Sequence, residues 1–378
     1  MRISAGLTQL ISAVSRRRIS FELDLVPLHF ENLPPKKILN WALTESSVVL
    51  KPCRPPGLPT LLQLEPTSEC NLRCHACPVG IGLKRPSGSM GPDMFRRLVD
   101  EIGHRLLVMM FWDWGEPLLH PEAAEMIRYA RGAGIKVVCS TNGHLLADRE
   151  NARKLVRSGL DVLVISMDGI TQEVYQTFRT RGDLATVLEG VRNVVAEKKL
   201  AASRLPLVNL RFIVTRHNEH QLPRLAPCAE SLGVDILTLR KFHFVPGTSS
   251  RSGSASGQLV PSETRFQLPA LSAERNPVRL KRNPCRNLFN SPTVHWDGTV
   301  CSCFMDYNET NPLGSLQSQG FREIWRGDSY ARLRRAFRVG WQSLPLCGQC
   351  AAGFEGGDIG REANSQAFYF SKDLNASR

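Results

Sequence analysis

The sequence contains no run of about eighteen consecutive apolar residues, the length that a helix needs to cross a lipid bilayer. We therefore expect no transmembrane segment. A short apolar stretch at residues 7–14 is followed by three arginines, whereas a secretory signal places its positive charge before the apolar run. Since no secretory signal is recognisable, the 11 cysteines predict a cytoplasmic location and metal ligation rather than disulfide bonds.

A nucleic-acid-binding motif is also missing, although the formal net charge is +13 over 378 residues. The positive charge is spread along the chain, and no basic run has interleaved aromatic residues, so nucleic-acid binding is not indicated. The densest basic group falls on a predicted helix and consists of Arg332, Arg334, Arg335 and Arg338. Such a group usually forms a solvated helix face. The alternative is that it docks an acidic electron donor such as a flavodoxin or ferredoxin.

What the sequence does contain is an alternation of apolar runs and helical segments. The runs are Leu61–Leu64, Leu106–Phe111, Ile135–Ser140, Val162–Ser166, Val208–Val214 and Ile236–Leu239. This alternation predicts an α/β fold with a parallel sheet and crossover helices. Six units are too few for a closed eight-stranded barrel, and we predict a partial (β/α)6 TIM-type barrel with its active site at the carboxyl ends of the strands.

Composition divides the chain further. Residues 246–257 are rich in Ser and Gly, as flexible linkers are, and a smaller cysteine-bearing region follows them. The predicted parts are an N-terminal extension (1–56), the partial barrel (57–244), the linker (245–281), a small C-terminal cluster-binding domain (282–357) and a tail (358–378).

Cys70, Cys74 and Cys77 form a CxxxCxxC pattern directly after the first predicted strand. Three cysteines cannot all form disulfides with one another, but they can hold one iron–sulfur cluster. A four-iron cluster with three protein ligands leaves one iron open for a small molecule. The alternatives are a zinc site, which normally has four ligands in two pairs, and buried thiols without a function. The odd cysteine count disfavours zinc, and the polar residues around the sulfurs disfavour simple burial.

This pattern resembles the signature of the radical S-adenosylmethionine (SAM) superfamily. The resemblance implies a [4Fe–4S] cluster whose open iron binds SAM through its amino and carboxylate groups. The run Trp114-Gly115-Glu116-Pro117, after the second strand, resembles the glycine–glycine–glutamate motif of that family. Trp114 replaces the first glycine, and the resemblance implies that Gly115 and Glu116 receive the SAM amino group. The simpler alternative is an ordinary turn after a strand.

Two further SAM contacts follow from the resemblance. Ser166, at the end of the fourth strand, and Arg179 are expected to face the SAM carboxylate, for which a guanidinium is well suited because it can donate two parallel hydrogen bonds. Asn142 is expected near the ribose. The alternative is that these segments hold turn glycines and N-capping hydroxyls. The family usually has an aromatic residue where this chain has Ala76, so no adenine contact is assigned.

A second cysteine set consists of Cys285, Cys303, Cys347 and Cys350. With Gly298 before Cys303, it resembles the C-terminal SPASM/twitch extension of radical SAM enzymes. Because no cysteine follows Cys350, we expect the shorter twitch form with one auxiliary [4Fe–4S] cluster and four protein ligands. A tetrahedral zinc site is the alternative. Cys301 could substitute for Cys303, but the spacing from Gly298 favours Cys303.

The resemblance implies a radical SAM oxidoreductase. Such an enzyme cleaves SAM reductively to a 5′-deoxyadenosyl radical, which abstracts a hydrogen atom from a small-molecule or peptide substrate, and the auxiliary cluster accepts the remaining electron. In sulfatase-maturing relatives an aspartate follows the equivalent of Cys303, but here it is Phe304, so Asp306 and Asp297 are the candidate bases. Radical SAM peptide crosslinking or maturation is an alternative. The non-enzyme alternative is an iron–sulfur electron carrier or a zinc-stabilised binding protein.

Overall fold

The structure is a computed structural model that describes residues 12–13, 15–242, 259–267, 279–281, 283–354, 364–371 and 374. The Ser- and Gly-rich part of the predicted linker, residues 246–257, lies outside the described residues, as do residues 358–363 of the predicted tail. None of the helices in the described part has the length and apolar character of a membrane span.

The strands are β1 (Ile19–Leu23), β2 (Val26–Phe30), β3 (Leu61–Leu64), β4 (Val108–Phe111), β5 (Lys136–Thr141), β6 (Val162–Ser166), β7 (Leu207–Val214), β8 (Ile236–Lys241), β9 (Thr293–Val294), β10 (Thr299–Cys301), β11 (Gly314–Ser315) and β12 (Asn364–Tyr369). The helices are α1 (Pro35–Leu50), α2 (Pro78–Ile81), α3 (Pro92–Ile102), α4 (Ala123–Gly132), α5 (Arg149–Arg157), α6 (Gln172–Phe178), α7 (Leu184–Leu200), α8 (Leu222–Ser231), α9 (Asn287–Asn290), α10 (Phe321–Arg326) and α11 (Asp328–Gly340).

Strands β3 to β8 are parallel and lie side by side in chain order, and helices connect them. This order confirms the predicted partial (β/α)6 barrel, and each predicted apolar run overlaps one of the six strands. The apolar faces of the outer helices pack against the sheet. In α7, for example, the buried residues Val187, Val191 and Val194 are spaced to lie on one face of the helix.

The C-terminal region extends the same sheet. Strand β9 pairs in parallel with β3, and β10 and β11 continue the sheet beyond it in antiparallel order. At the opposite edge β12 pairs antiparallel with β8, which gives a ten-stranded sheet. The small C-terminal domain is therefore joined to the barrel by backbone hydrogen bonds, and both edges of the parallel sheet are covered.

The N-terminal hairpin of β1 and β2 packs against barrel-strand residues that belong to a second hydrophobic cluster, separate from the main core. Its turn residue Asp24 forms ion pairs with Arg211, at 2.5 Å, and with Arg240, at 3.1 Å. Helix α1 is fixed to the barrel by Lys37, whose Nζ donates to the carbonyls of Leu106, at 2.8 Å, and Gly134, at 2.6 Å. The N-terminal segment is thus packed onto the barrel at several points.

The predicted solvated basic face on α11 is only partly correct. Arg332, Arg335 and Arg338 are exposed, but Arg334 is completely buried. Its guanidinium lies 4.2 Å from the ring centre of Trp325 and donates from Nη1 to the carbonyl of that residue at 2.9 Å. Aromatic rings and carbonyl oxygens replace the water that this cation loses on burial.

Candidate functional site

The three cysteines of the CxxxCxxC pattern lie in the loop between β3 and α2. Burial, more than any other cause, raises the pKa of Cys70 to about 11 and that of Cys77 to about 12, and the nearby thiolate of Cys74 adds to both increases. Three neighbouring thiolates in a poorly solvated loop need a cationic partner before all of them can ionise. An iron–sulfur cluster supplies that charge, so the residues present fit such a group.

Within the described residues, no three His, Cys, Asp or Glu side chains converge closely enough to hold a single metal ion. The cysteines of a four-iron cluster bind different corners of a cube, so they need not converge on one point.

Gly115 brings the loop after β4 against the loop that leads to the cysteines. A Cβ atom at this position would lie 1.9 Å from the carbonyl oxygen of Thr67, so a larger residue would push the two loops apart. The next residue, Glu116, donates its backbone N–H to the carbonyl of Glu69 at 2.7 Å. The Gly115-Glu116 segment is therefore held beside the first cysteine set.

The Glu116 carboxylate is buried and ties the ends of β4 and β5 together. Its Oε1 accepts from the hydroxyl of Thr141 at 2.6 Å, and its Oε2 accepts from the backbone N–H of Asn142 at 2.7 Å. Burial raises the pKa of Glu116, and these hydrogen bonds oppose that increase. A carboxylate oxygen can accept more than one hydrogen bond, so Oε2 keeps acceptor capacity for a ligand. Its contact with the SAM amino group stays a prediction.

Asn142 connects the end of β5 to the cysteine loop. Its Nδ2 donates to Oδ1 of Asn71 at 2.7 Å and lies 3.9 Å from the sulfur of Cys70. Its Oδ1 accepts from the backbone N–H of His144 at 3.1 Å. The side chain is thus fixed beside the first cysteine set, and its contact with a ribose stays a prediction.

Ser166 and Arg179 lie at the carboxyl end of the next strand, β6, and after the helix that follows it. Ser166 ends β6, and Arg179 follows α6 directly. The Nε of Arg179 pairs with Asp168 at 2.5 Å, and the other oxygen of this fully buried carboxylate accepts from the backbone N–H of Ile213 at 2.7 Å. An arginine held through Nε still has two terminal NH2 groups with which to bind a carboxylate.

Asp168 was not identified from the sequence, although it lies in the Ser166-Met-Asp-Gly169 turn. The turn itself signals only a change of chain direction. A signal was nevertheless available, because an aspartate at a carboxyl strand end eleven positions before a predicted SAM-binding arginine is a plausible partner for it.

The second cysteine set is brought together around Cys303. The pKa of this thiol is raised well above its ordinary value, first by burial and then by the neighbouring thiolates of Cys285, Cys350 and Cys347. For Cys301, by contrast, burial raises the pKa to about 11, and the hydrogen bond with His295 opposes that increase. The structure therefore groups Cys303, and not Cys301, with the other three thiols, and their donor set fits a four-iron cluster.

The two candidate bases lie in turns. Both carboxylate oxygens of Asp306 accept hydrogen bonds from residues of the following loop, with Thr310 N at 2.8 Å and Asn311 N at 3.0 Å. Asp297 accepts from the backbone N–H and the hydroxyl of Thr299 at 2.9 Å and 3.0 Å. These hydrogen bonds organise the loops around the second cysteine set, and a role in proton transfer stays a prediction for both residues.

A set of buried charged side chains joins the barrel to the C-terminal domain, and we name it the charged seam. It consists of Glu65, Arg85, Asp113, His295 and Glu309. Arg85 pairs with Glu65, and His295 lies 2.9 Å from Glu309 and 3.5 Å from Asp113. Burial, its largest influence, raises the pKa of Asp113 to about 6. Sequence reasoning missed this seam because its members are far apart in the chain.

Trp114 makes a second connection between the two regions. Its Nε1 donates to the carbonyl of Phe304 at 2.7 Å, and its ring centre lies 6.3 Å from that of Phe304 and 5.9 Å from that of Tyr307. The residue that replaces the expected first glycine thus contacts the residue that follows Cys303.

Three cysteines lie in one loop at the carboxyl ends of a partial barrel, and a second set of four thiols lies beside it. This arrangement defines an iron–sulfur enzyme that uses SAM. The sequence model of the radical SAM superfamily matches residues 64–220, and that of the SPASM iron–sulfur cluster-binding domain matches residues 285–351. The chain belongs to the radical SAM superfamily and carries a SPASM domain. Its cofactors are accordingly a [4Fe–4S] cluster, SAM and auxiliary iron–sulfur ligation in the C-terminal domain.

Three curated relatives match this chain over three quarters or more of their own length. It is 26% identical over 316 residues to the tungsten-containing aldehyde ferredoxin oxidoreductase cofactor-modifying protein of Pyrococcus furiosus, covering 77% of this chain and 86% of that protein. It is 28% identical over 325 residues to the AdoMet-dependent heme synthase of Methanosarcina barkeri, covering 77% and 88%. It is 29% identical over 309 residues to the mycofactocin maturase MftC of Mycobacterium tuberculosis, covering 77% and 75%.

Among solved structures, Streptococcus suis SuiB matches with a TM-score of 0.60 and 12% identity, over 88% of this chain and 78% of that chain. At this identity the similarity concerns the fold.

Proposed function

We propose that this radical SAM enzyme is an oxidoreductase in which an auxiliary [4Fe–4S] cluster, held by Cys285, Cys303, Cys347 and Cys350, assists the oxidation of the substrate. The observation that carries the proposal is the position of these four thiols. They lie together, and the loop of Cys303 contacts the loop of the Gly115-Glu116 segment through Trp114. Four protein ligands occupy all four irons of a cubane, so this site suits electron transfer better than substrate ligation.

When bound, SAM and the reduced first cluster supply a 5′-deoxyadenosyl radical and methionine, and the auxiliary cluster supplies an electron acceptor. The protein holds these groups in place. Cys70, Cys74 and Cys77 bind the first cluster, while the Gly115-Glu116 segment receives the SAM amino group.

Arg179 and Ser166 bind the SAM carboxylate, and Asn142 lies at the ribose. Asp168 supports this arrangement because it holds the Arg179 guanidinium through Nε and leaves the terminal nitrogens as donors. Asp306 and Asp297 are the candidates for the group that takes the substrate proton. The exposed arginines of α11 offer a docking face for an acidic electron donor in the same cytoplasmic compartment.

A second candidate function is peptide maturation. Support for it comes from the similarity to the mycofactocin maturase MftC, which spans 77% of this chain. The similarity to the AdoMet-dependent heme synthase spans an equal share of the chain, and it supports a small-molecule substrate. Both functions use the same SAM chemistry and differ in the substrate.

The enzyme proposal is tested with anaerobically reconstituted, dithionite-reduced protein and SAM, by measuring 5′-deoxyadenosine. Single replacements Cys70→Ala, Cys74→Ala and Cys77→Ala should abolish its formation, because no neighbouring thiol can occupy the vacant corner. Cys228→Ala, which changes a half-buried thiol on α8, is the matched control and should keep the activity. Protein that binds SAM but yields no 5′-deoxyadenosine after reduction would show that it is an iron–sulfur carrier or binding protein.

A further inference from the structure

Trp114 lies on a stretch of backbone that is fixed against the first cysteine loop. Its neighbour Gly115 is packed against the carbonyl of Thr67, and Glu116 donates its N–H to the carbonyl of Glu69. Because the two residues that follow Trp114 are held in this way, the backbone of Trp114 has a fixed position relative to the loop of Cys70, Cys74 and Cys77.

The side chain of Trp114 reaches the other cysteine-bearing loop. Its Nε1–H donates to the carbonyl of Phe304 at 2.7 Å, and its ring meets the ring of Tyr307 edge-on, with an interplanar angle of 69°. Phe304 is the residue directly after Cys303. A rigid aromatic side chain that both packs and donates a hydrogen bond fixes the orientation of its partner.

Residues from three cysteine-bearing segments meet around this tryptophan. The small hydrophobic cluster contains Met305 and Tyr307, with Leu83, Trp114, Cys303, Phe304 and Leu346 packed against it. Leu83 follows the helix that begins after Cys77, and Leu346 directly precedes Cys347. Trp114 thus belongs to one packed cluster with Cys303 of the second cysteine set and with Leu83, which follows the first set in the chain.

Two other contacts between the two regions reach Tyr307 and Asn308, which lie four and five positions after Cys303. Arg85 donates to the carbonyl of Tyr307 at 2.6 Å, and the backbone N–H of Lys84 donates to Asn308 at 2.8 Å. Trp114 differs from them because it directly precedes the Gly115-Glu116 segment and directly contacts the residue after Cys303.

We propose that Trp114 is a positioning residue that fixes the loop of Cys303 against the SAM-binding loop and so sets the distance between the two clusters. This inference rests on the proposed function, since it requires both clusters. Trp114→Ala removes the ring and the donor. Trp114→Phe keeps an aromatic ring but removes the N–H donor, and it is expected to retain the fold even if the alanine variant does not.

The experiment measures the magnetic dipolar interaction between the two reduced clusters by electron paramagnetic resonance in the full-length reconstituted protein. The wild type should give a defined intercluster distance. Trp114→Phe should broaden the distance distribution, and Trp114→Ala should broaden it further or shift it. Trp112→Phe is the matched control, because Trp112 is two residues earlier and packs in the cluster of the N-terminal hairpin instead.

Iron content and 5′-deoxyadenosine formation are measured on the same samples. A wild type with one cluster or without SAM cleavage would overturn the proposed function itself. Wild-type protein with both clusters, together with Trp114 variants whose distance distribution is unchanged, would overturn the positioning role alone. A Trp112→Phe variant that broadens the distance distribution as much as Trp114→Phe would also overturn the positioning role, because the effect would then not be specific to Trp114.

Discussion

Asp168 and Arg179 form a buried ion pair in which the aspartate side chain is 0% exposed and the arginine side chain is 14% exposed. Removing the charge of Asp168 leaves the Arg179 cation buried without compensation, which typically costs about 3–5 kcal/mol. The pair also determines where the guanidinium lies, so its loss concerns both folding and the proposed SAM contact.

We therefore expect Asp168→Asn to lower the free energy of unfolding by about 3 kcal/mol, and to weaken SAM binding to the folded protein. Denaturant unfolding and equilibrium SAM binding measure the two effects. Asp93→Asn is the matched control, since Asp93 pairs with Arg96 at 3.2 Å on the surface, with side chains 84% and 51% exposed. The control should lose less than about 1 kcal/mol. Equal unfolding midpoints for the two variants would contradict the role of Asp168.

Residues that belong to a local motif could be predicted from the sequence, and residues that depend on distant partners could not. Both cysteine sets have spacings that indicate clusters without any structural information. The charged seam has no such spacing, because Glu65 and His295 are brought together only by the pairing of β3 with β9. The burial of Arg334 was missed because a basic residue on a helix gives no sign of the aromatic rings that cover it.

At the scale of secondary structure elements, each loop that carries part of the second cysteine set is ordered by hydrogen bonds of its own. Asp306 organises the segment after Cys303, and Cys347 and Cys350 flank a short helical turn. Loss of ligands from this turn therefore leaves the barrel loops in place.

The Cys347→Ala/Cys350→Ala double variant should lose the auxiliary cluster and keep the first one. Iron content is then expected to fall from about eight to about four atoms per chain, while SAM still changes the spectrum of the remaining cluster. With the true substrate, the variant should form 5′-deoxyadenosine but little oxidised product. Zinc in the wild-type protein, with about four irons, would instead identify this site as a structural zinc site.

The six barrel strands were predicted because each is a run of apolar residues long enough to be distinctive. Strand β9 consists of Thr293 and Val294 only, and β11 of Gly314 and Ser315. Two residues carry no periodic pattern, so their place in the sheet is decided by partners elsewhere in the fold. For this reason the sequence predicted a separate C-terminal domain, and it did not predict that the domain extends the barrel sheet.

At the scale of the whole molecule, the C-terminal region covers both edges of the parallel sheet. An uncovered edge strand presents unpaired backbone groups that can pair with another chain. Here β9 covers β3, and β12 covers β8.

A chain that ends at residue 244 should therefore aggregate, since both sheet edges would be open. In addition, Glu65 would lose the N–H of Trp296 and Arg85 would lose Glu309 as partners. A chain that ends at residue 354 is the matched comparison, because it keeps β9 and lacks only β12. We expect this longer chain to be more soluble. Sedimentation and light scattering of the two purified chains measure the difference. A monodisperse, folded chain of residues 1–244 would show that the barrel does not need the C-terminal region.

The contacts that the C-terminal region makes with the segment after α2 also have a consequence for the order of events during synthesis. At about 5–20 residues per second, the cysteine loop leaves the ribosome many seconds before Tyr307 and Asn308, the residues that hold the segment of Lys84 and Arg85 after α2. The first cluster site thus receives part of its support from residues that are made late. We expect iron to be inserted into this site after translation of the C-terminal region and not while the barrel is still being made.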